Sequence, residues 1–443
     1  MKVLAYAALY FGALQWAYPN VVSPLFAYQG MTFRELPLEI MAFQWVLAML
    51  PAFILPYNVT RPSHYQWWIL YLTVIVPLTL IAYHVMNYEG TQLPLYLIVT
   101  VVCFMLMVLS SGLPKLKLPK IKMSPQVFWL LLGLITVFTY AGLIATLGIP
   151  KSLPTTDTVY DLRSEAKPML ENSLPVIFRY LYFWQGLVFN PYILIVGLAR
   201  KNPFLIAAGI GLQLLMFAIT TLRVFFLNNL LLVGMFFLIA YARRSFGLVL
   251  LKAFAGLVLA SILWWSFDNY AIGPRVLLNR WILMGGQLST YYYDYFSENP
   301  PDSLAHTIVG TVTTSPYSLP PNKLIGKTYF EDQTNAPAAI WADGYGNLGW
   351  IGMVLASIVA VIVMWIMDSV FEGRDAAFAV LITTIGANSF ASQGVLSSLL
   401  TGGIAPILLL GLTSPNIKIP NREHRRRRRE RQVGGTRLEE ATP

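Results

Sequence analysis

The sequence predicts an all-α membrane protein that crosses the bilayer many times. Three observations predict it. Of the 443 residues, 56% are hydrophobic and 12% are charged, with a mean hydropathy of +0.59, whereas soluble domains carry about 25% charge. The apolar residues gather in about twelve segments near the length of about 20 residues that a helix needs to cross hydrocarbon. When those segments alternate in direction, the basic residues of the short connections fall on one side.

The first segment, 2–18, lies in "MKVLAYAALYFGALQWAYPN". It has one lysine and an apolar run like a signal peptide, but no small-x-small cleavage site before Pro19, so it is expected to remain as a span. Segments 37–57, 66–85, 92–111, 126–148, 174–199, 203–222, 225–242 and 247–267 follow. After a long interval come 347–367, 376–394 and 396–412, the last two softened by Gly and Ser. "KLKLPKIK" (115–122), "ARK" (199–201), "ARR" (242–244), Lys2, Arg61, Arg374 and the Arg-rich tail then share one face. That face is predicted to be cytoplasmic, with both termini inside. The domain reading is one membrane unit, 1–420, and a basic tail, 421–443. The tail holds much of the net charge of +10. Beside a final span, its plainer role is to face anionic lipid rather than nucleic acid. Removing it after Asn421 is expected to leave any chemistry intact.

The opposite face is predicted to hold two sizeable loops, 149–173 and 268–346, the larger between the ninth and tenth segments. The larger is Pro-rich, aromatic and polar, and reads as folded. Within it, 275–288 is amphipathic, as in an interfacial or re-entrant helix. There is no visible internal repeat of the kind that marks inverted-repeat transporters.

Cysteine and histidine chemistry is sparse. Cys103 is the single cysteine, and the four histidines are scattered, so neither a disulfide nor a clustered metal site is expected. His306 is the one histidine of the long loop. A lone histidine is usually a surface or packing residue, so it ranks as a minor candidate whose replacement should do little. No phosphate-cradling Gly-rich motif is present, and no cofactor is expected.

Positive residues are unusual on an outer face, yet Arg163, Arg179, Arg223, Arg275 and Arg280 lie there, near membrane depth. Such residues mark function or snorkel to the interface. Several guanidinium groups in one pocket would suit a phosphate, through paired charge-assisted hydrogen bonds. Among the carboxylates, Asp343 stands out in "NAPAAIWADGYGNLGWIGM" (335–353). It lies about four residues before an apolar run, where partial desolvation would make it base-like. Alternatively, it caps the helix starting near Gly344. Trp341, Tyr345 and Asn335 are candidate glycan contacts, and the aromatic residues equally suit an interface belt.

The chain resembles the Wzy-type oligosaccharide repeat-unit polymerases, or O-antigen polymerases. The resemblance covers the overall layout and three stretches: "VYDLRSE" (159–165), "RVLLNR…YYYDYFSENP", and "LIGKTYF…TNAPAAIWADGYGNLGWIG". It implies a metal-independent glycosyltransferase acting on undecaprenyl-pyrophosphate-linked glycan as both donor and acceptor, at the outer face of the bacterial inner membrane. By that resemblance Arg163, Arg223, Arg275 and Arg280 hold the pyrophosphate as leaving group. A carboxylate, Asp343 first and Asp161 next, orients or deprotonates the acceptor hydroxyl. Implied partners are membrane lipid, a chain-length regulator and a flippase, with no nucleic acid. The rivals are a ligase of similar architecture and, from another class, a flippase for lipid-linked oligosaccharide.

Overall fold

The computed structural model describes residues 2–150, 153–154, 162–163, 166, 168–267, 271–307, 310, 313–331 and 334–421. Each apolar segment is helical, and its ends follow local chemistry. Proline opens several helices, where its missing N–H costs nothing. Ser124 Oγ accepts from the Val127 N–H, and Asn202 Oδ1 accepts from the Phe204 N–H at 2.9 Å. Both are side-chain caps for otherwise orphaned donors.

The helices in chain order are α1 (Lys2–Ala17, continuing to 26), α2 (Leu38–Phe53), α3 (Pro62–Val85), α4 (Leu93–Ser110), α5 (Pro125–Leu147), α6 (Val176–Arg200) and α7 (Pro203–Thr220). They continue as α8 (Arg223–Ala242), α9 (Phe246–Trp265), α10 (274–298), α11 (Pro321–Tyr329), α12 (Ile340–Val370), α13 (Ala376–Ser392) and α14 (Val395–Thr413). Among the described residues, nine of these are long and apolar enough to cross a membrane; α2 and α13 are apolar but shorter. This is the architecture of a polytopic membrane protein. Helix α3 is 89% buried across its most apolar window and forms the centre, whereas α5 and α7 are 33% buried and lie at the edge. Leu106, Leu130, Val137 and Ile358 point outward, as lipid-facing side chains do.

The basic connections meet at one end of the bundle. Arg61 donates to the Ser111 and Leu113 carbonyls at 2.8 and 3.1 Å. Lys120 Nζ donates to the Glu372 carbonyl at 2.6 Å, and Arg374 to the Ser414 carbonyl at 2.8 Å. Asp375 pairs with Arg243, caps α13 through the Ala377 N–H at 2.9 Å and accepts from the Ile419 N–H at 3.1 Å. Loops that alternation places together are therefore bonded together. Asp375→Ala should cost about 2 kcal/mol, roughly half from the cap and half from a part-buried ion pair. An unchanged melting curve in detergent would show that the latch contributes nothing.

The long interval differs from a loop. It holds α10, of 25 residues counted from 274 to 298, and the short α11. Helix α10 extends ten residues beyond the expected 275–288, because "GGQLSTYYYDYF" packs into the bundle instead of ending at its rim.

Candidate functional site

The end opposite the basic latch is built from two segments that turn back into the apolar core. The first is α10. Its residues Pro274–Leu283 form a π-helix and Met284–Glu298 an α-helix. Gly285 and Gly286 set its depth. A Cβ on Gly285 would sit 2.5 Å from the Thr73 carbonyl oxygen, and one on Gly286 would sit 2.5 Å from the Leu78 nitrogen. Only glycine permits that approach. Thr73 lies twelve residues from the end of α3, which places the contact about 18 Å down that helix. The facing turn of α3, Tyr71–Ile75, is itself a π-turn, a local widening often found at functional positions.

A helix this deep carries an unusual polar load. Asn279 Nδ2 donates to Gln29 Oε1 at 2.9 Å, and Gln287 Nε2 donates to the Gln29 carbonyl at 2.8 Å. The Tyr291 hydroxyl donates to the same carbonyl at 2.7 Å. Asn279 Oδ1 and Gln287 Oε1 are buried acceptors that receive no hydrogen bond from the described residues. Tyr291 stacks on Tyr329 with ring centroids 4.3 Å apart, and the Tyr329 hydroxyl donates to Asp294 at 2.5 Å. Burial and that carboxylate raise the Tyr329 phenol above its usual range, so it stays a donor. Arg275 and Arg280 are exposed while Leu278, Asn279, Ile282 and Leu283 are buried. The wider turn of a π-helix, with its i→i+5 bonding, leaves both arginines on the exposed side of this segment.

The second segment is the start of α12. Leu348 (φ −139°) and Gly349 (φ 60°) break the helix. The Trp341 indole N–H donates to Ser357 Oγ at 2.9 Å. In a straight helix residues sixteen apart would be about 24 Å apart. The chain therefore reverses at 348–349, and 340–347 lies antiparallel beside the first turns of the span. Gly344 and Gly352 are the crossing point, since a Cβ on Gly352 would lie 1.9 Å from the Gly344 oxygen. Packing holds this hairpin, because lipid is as apolar as the side chains and supplies no hydrophobic drive. The expected span at 347–367 is thus a reversal followed by a span.

Asp343 sits on the returning arm, half-buried. It does not cap the helix; the N-cap is Ala339, and the Asp343 N–H donates to the Ala339 carbonyl at 2.9 Å. Its carboxylate packs against Gly394 at the start of α14, where a Cβ would fall 2.0 Å from Oδ2. Asp343 is within electrostatic reach of Asp302 and Tyr292.

Asp302 closes the site. Its N–H donates to the Gly346 carbonyl at 2.9 Å, and the Ser303 N–H donates to the Asn347 carbonyl at 2.9 Å. These bonds satisfy carbonyls left over at the end of the returning arm. Asp302 is 0% exposed. Its carboxylate accepts from the His306 N–H at 3.2 Å, from His306 Nδ1 at 2.8 Å and from Ser315 Oγ at 2.6 Å. Ser303 and Leu304 hold positive φ, 59° and 62°, at about 1–2 kcal/mol per residue. Bonds to the buried carboxylate, each worth about 1.5–3 kcal/mol, offset that strain. His306 ranks low in the sequence because it has no histidine or cysteine neighbour. The Asp-x-x-x-His spacing of 302 and 306 is the one signal that points to it.

The remaining expected residues divide. Arg223 is exposed at the first position of α8, and Arg163 is exposed in the shorter loop. Phe225, two residues on from Arg223, belongs to a separate apolar cluster with Tyr140, Leu170, Leu174 and Met216. Helix α10, with Arg275 and Arg280, packs chiefly on α3, α9 and α12. Arg275 and Arg280 thus belong to the lobe of the main core, and Arg223 stands beside this second, smaller lobe. Arg179 bonds the Leu174 carbonyl at 2.8 Å, a structural role. Trp341 is 1% exposed, so its ring offers no face to a sugar, contrary to the expectation. Tyr345 is buried among Tyr96, Tyr293 and Trp350 and is likewise closed. Asn335 is exposed and accepts from Asn322 at 2.6 Å. Asp161 lies outside the described residues. A small cleft lined by Val59, Ile239, Arg243, Phe246, Ala377 and Val380 lies at the basic end, away from these groups. No protein-family model, curated protein or solved structure matches the chain.

Proposed function

We propose that this chain is a glycosyltransferase that polymerises undecaprenyl-pyrophosphate-linked oligosaccharide repeat units at the periplasmic face of the bacterial inner membrane, for surface polysaccharide such as O-antigen or exopolysaccharide. In this reading the chain spans twelve times, with the basic end and both termini in the cytoplasm. One observation carries the proposal. In so apolar a chain, two re-entrant segments bring Asp343, Asp302 and a polar helix to the end away from the basic latch. Non-helical backbone and ionisable groups at membrane depth are tolerated where they line a cavity and serve function.

The chemistry follows from a substrate anchored in lipid. Its reactive carbon is tied through pyrophosphate to a polyprenyl tail, so reaction occurs at headgroup depth. The exposed Arg275 and Arg280 pair grips the pyrophosphate and stabilises it as leaving group. Arg163 and Arg223 complete the cradle if the two lobes share one donor. Asp343 orients the acceptor hydroxyl, with Asp161 the second choice.

The test is reconstitution in vesicles with lipid-linked repeat units in one leaflet. A ladder of products supports polymerisation. Transfer of a preformed glycan to a different acceptor would identify a ligase, and translocation without new bonds a flippase. Gly394→Ala should lower turnover about tenfold by pushing the Asp343 carboxylate aside, since a 1 Å misplacement of a reacting group can cost up to about a hundredfold. Wild-type turnover in this variant would remove Asp343 from the reaction.

A further inference from the structure

We infer that His306, held by Asp302, is the group that takes the proton from the incoming sugar hydroxyl; this rests on the glycosyl-transfer reading above. The geometry is that of an oriented base. A carboxylate only accepts hydrogen bonds. With Asp302 on Nδ1 at 2.8 Å, the neutral ring would carry its proton on that nitrogen, facing the carboxylate, and leave the lone pair on Nε2. Asp302 is fully buried, while the His306 side chain is 24% exposed, so the ring stands with one edge anchored and its body reachable. The carboxylate cannot swing away, because Ser315 and the His306 N–H also hold it. The two left-handed residues between them, Ser303 and Leu304, turn the chain so that the ring folds back on its partner.

Placement joins this pair to the rest of the site. The Asp302 and Ser303 N–H groups are bonded to the end of the arm that carries Asp343. The base therefore moves as one body with the residue that orients the acceptor. In the step itself, the acceptor oxygen forms a bond to the anomeric carbon and the bond from that carbon to the pyrophosphate oxygen breaks. The pyrophosphate leaves with the electron pair, and the hydroxyl proton passes to His306 Nε2. The imidazolium, stabilised by Asp302, then releases its proton to water. His306 is the catalytic residue and Asp302 a positioning residue. Asp343 keeps the orienting role.

The experiment uses the full chain in vesicles with the lipid-linked repeat unit. His306→Gln should lower kcat about a hundred- to a thousandfold, as for loss of a general base, with KM little changed. His306→Gly should regain turnover when imidazole is added, which a packing role would not produce. Asp302→Asn should lower kcat while leaving KM and protein abundance intact. Unchanged turnover in His306→Gln, or lost abundance with no rescue by imidazole, would overturn the inference. A second measurement is independent of turnover. Nitrogen NMR of His306, with the other three histidines replaced, should show the Nδ1–H tautomer, lost in Asp302→Asn. The Nε2–H tautomer in the parent protein would overturn the dyad. An inactive parent that retains the Nδ1–H form would instead defeat the polymerase reading and leave the oriented base to another transfer.

Discussion

Replacing Arg275 and Arg280 together by alanine should cut polymer formation about ten-thousandfold while the protein still inserts and accumulates normally. The size follows from what each group does. A preorganised donor aimed at developing charge is worth about a hundred- to a thousandfold. Two on the same leaving group act partly as a unit, so their effects fall short of a simple product. Both side chains are exposed on a helix whose opposite face holds its packing, so truncation removes charge without opening a cavity. Arg280→Lys should recover only part of the loss, because lysine keeps the charge but not the fork that grips two oxygens. Arg223→Ala supplies the comparison. If both lobes close on one pyrophosphate, it should cost as much as Arg280→Ala; if the α10 pair works alone, it should cost little. Steady-state turnover with quantified membrane protein measures all four. Turnover at parental levels in the double variant would leave the proposed cradle without its strongest members.

What the sequence reveals here follows from which interactions are local. Hydropathy is summed over a window, so the apolar segments from α3 to α9 can be read directly, and so can the basic loops that end together at one pole. Depth is not local. Nothing around "MGGQL" shows that Gly285 and Gly286 lie against the backbone of α3, because the partner residues, Thr73 and Leu78, are over two hundred positions away. The same holds for "GYGNLGWIG". Its glycines look like flexible loop residues, and its apolar tail looks like the start of a span. The reversal appears only once Gly344 meets Gly352 and Trp341 finds Ser357. Trp341 and Tyr345 are misread for this reason: an aromatic residue in a polar loop suits sugar, but these two belong to an arm folded inward. His306 is underrated for the converse reason. Its partner is close in sequence, but a four-residue spacing in a loop has no meaning until Ser303 and Leu304 adopt positive φ and bring the side chains together. The arginines are legible by residue type, whereas the separation of Arg223 from Arg275 and Arg280 depends on which helices pack together.

The reversal in α12 leads to the largest expected structural effect. At Gly352 an added Cβ would lie 1.9 Å from the Gly344 oxygen and 2.6 Å from its carbonyl carbon. Both neighbours are backbone, so no side chain can rotate to make room. Gly352→Ala should therefore separate the arms, draw Trp341 off Ser357 and carry Asp343 away from Gly394. Activity should fall to background through loss of the site's geometry, with every ionisable side chain still present. Cys103 provides the readout. It is the chain's only cysteine, it is buried, and it lies near Ser357, beneath the hairpin. Its neighbour Phe104 packs edge-on against Trp341, with ring centroids 6.1 Å apart. Opening the hairpin should expose the thiol, so a maleimide dye should label the detergent-solubilised variant at temperatures where the parent stays unlabelled. Gly234→Ala is the matched control, since its Cβ would meet nothing within 4 Å and alanine favours a helix by about 1 kcal/mol. Gly349→Ala separates strain from collision. Its φ of 60° resists a side chain although the space beside it is open, which predicts a milder loss of about 1–3 kcal/mol. Labelling of Gly352→Ala at the same rate as Gly234→Ala would mean that the two arms do not meet at these glycines. Asp343 would then no longer be held where the proposed chemistry requires it.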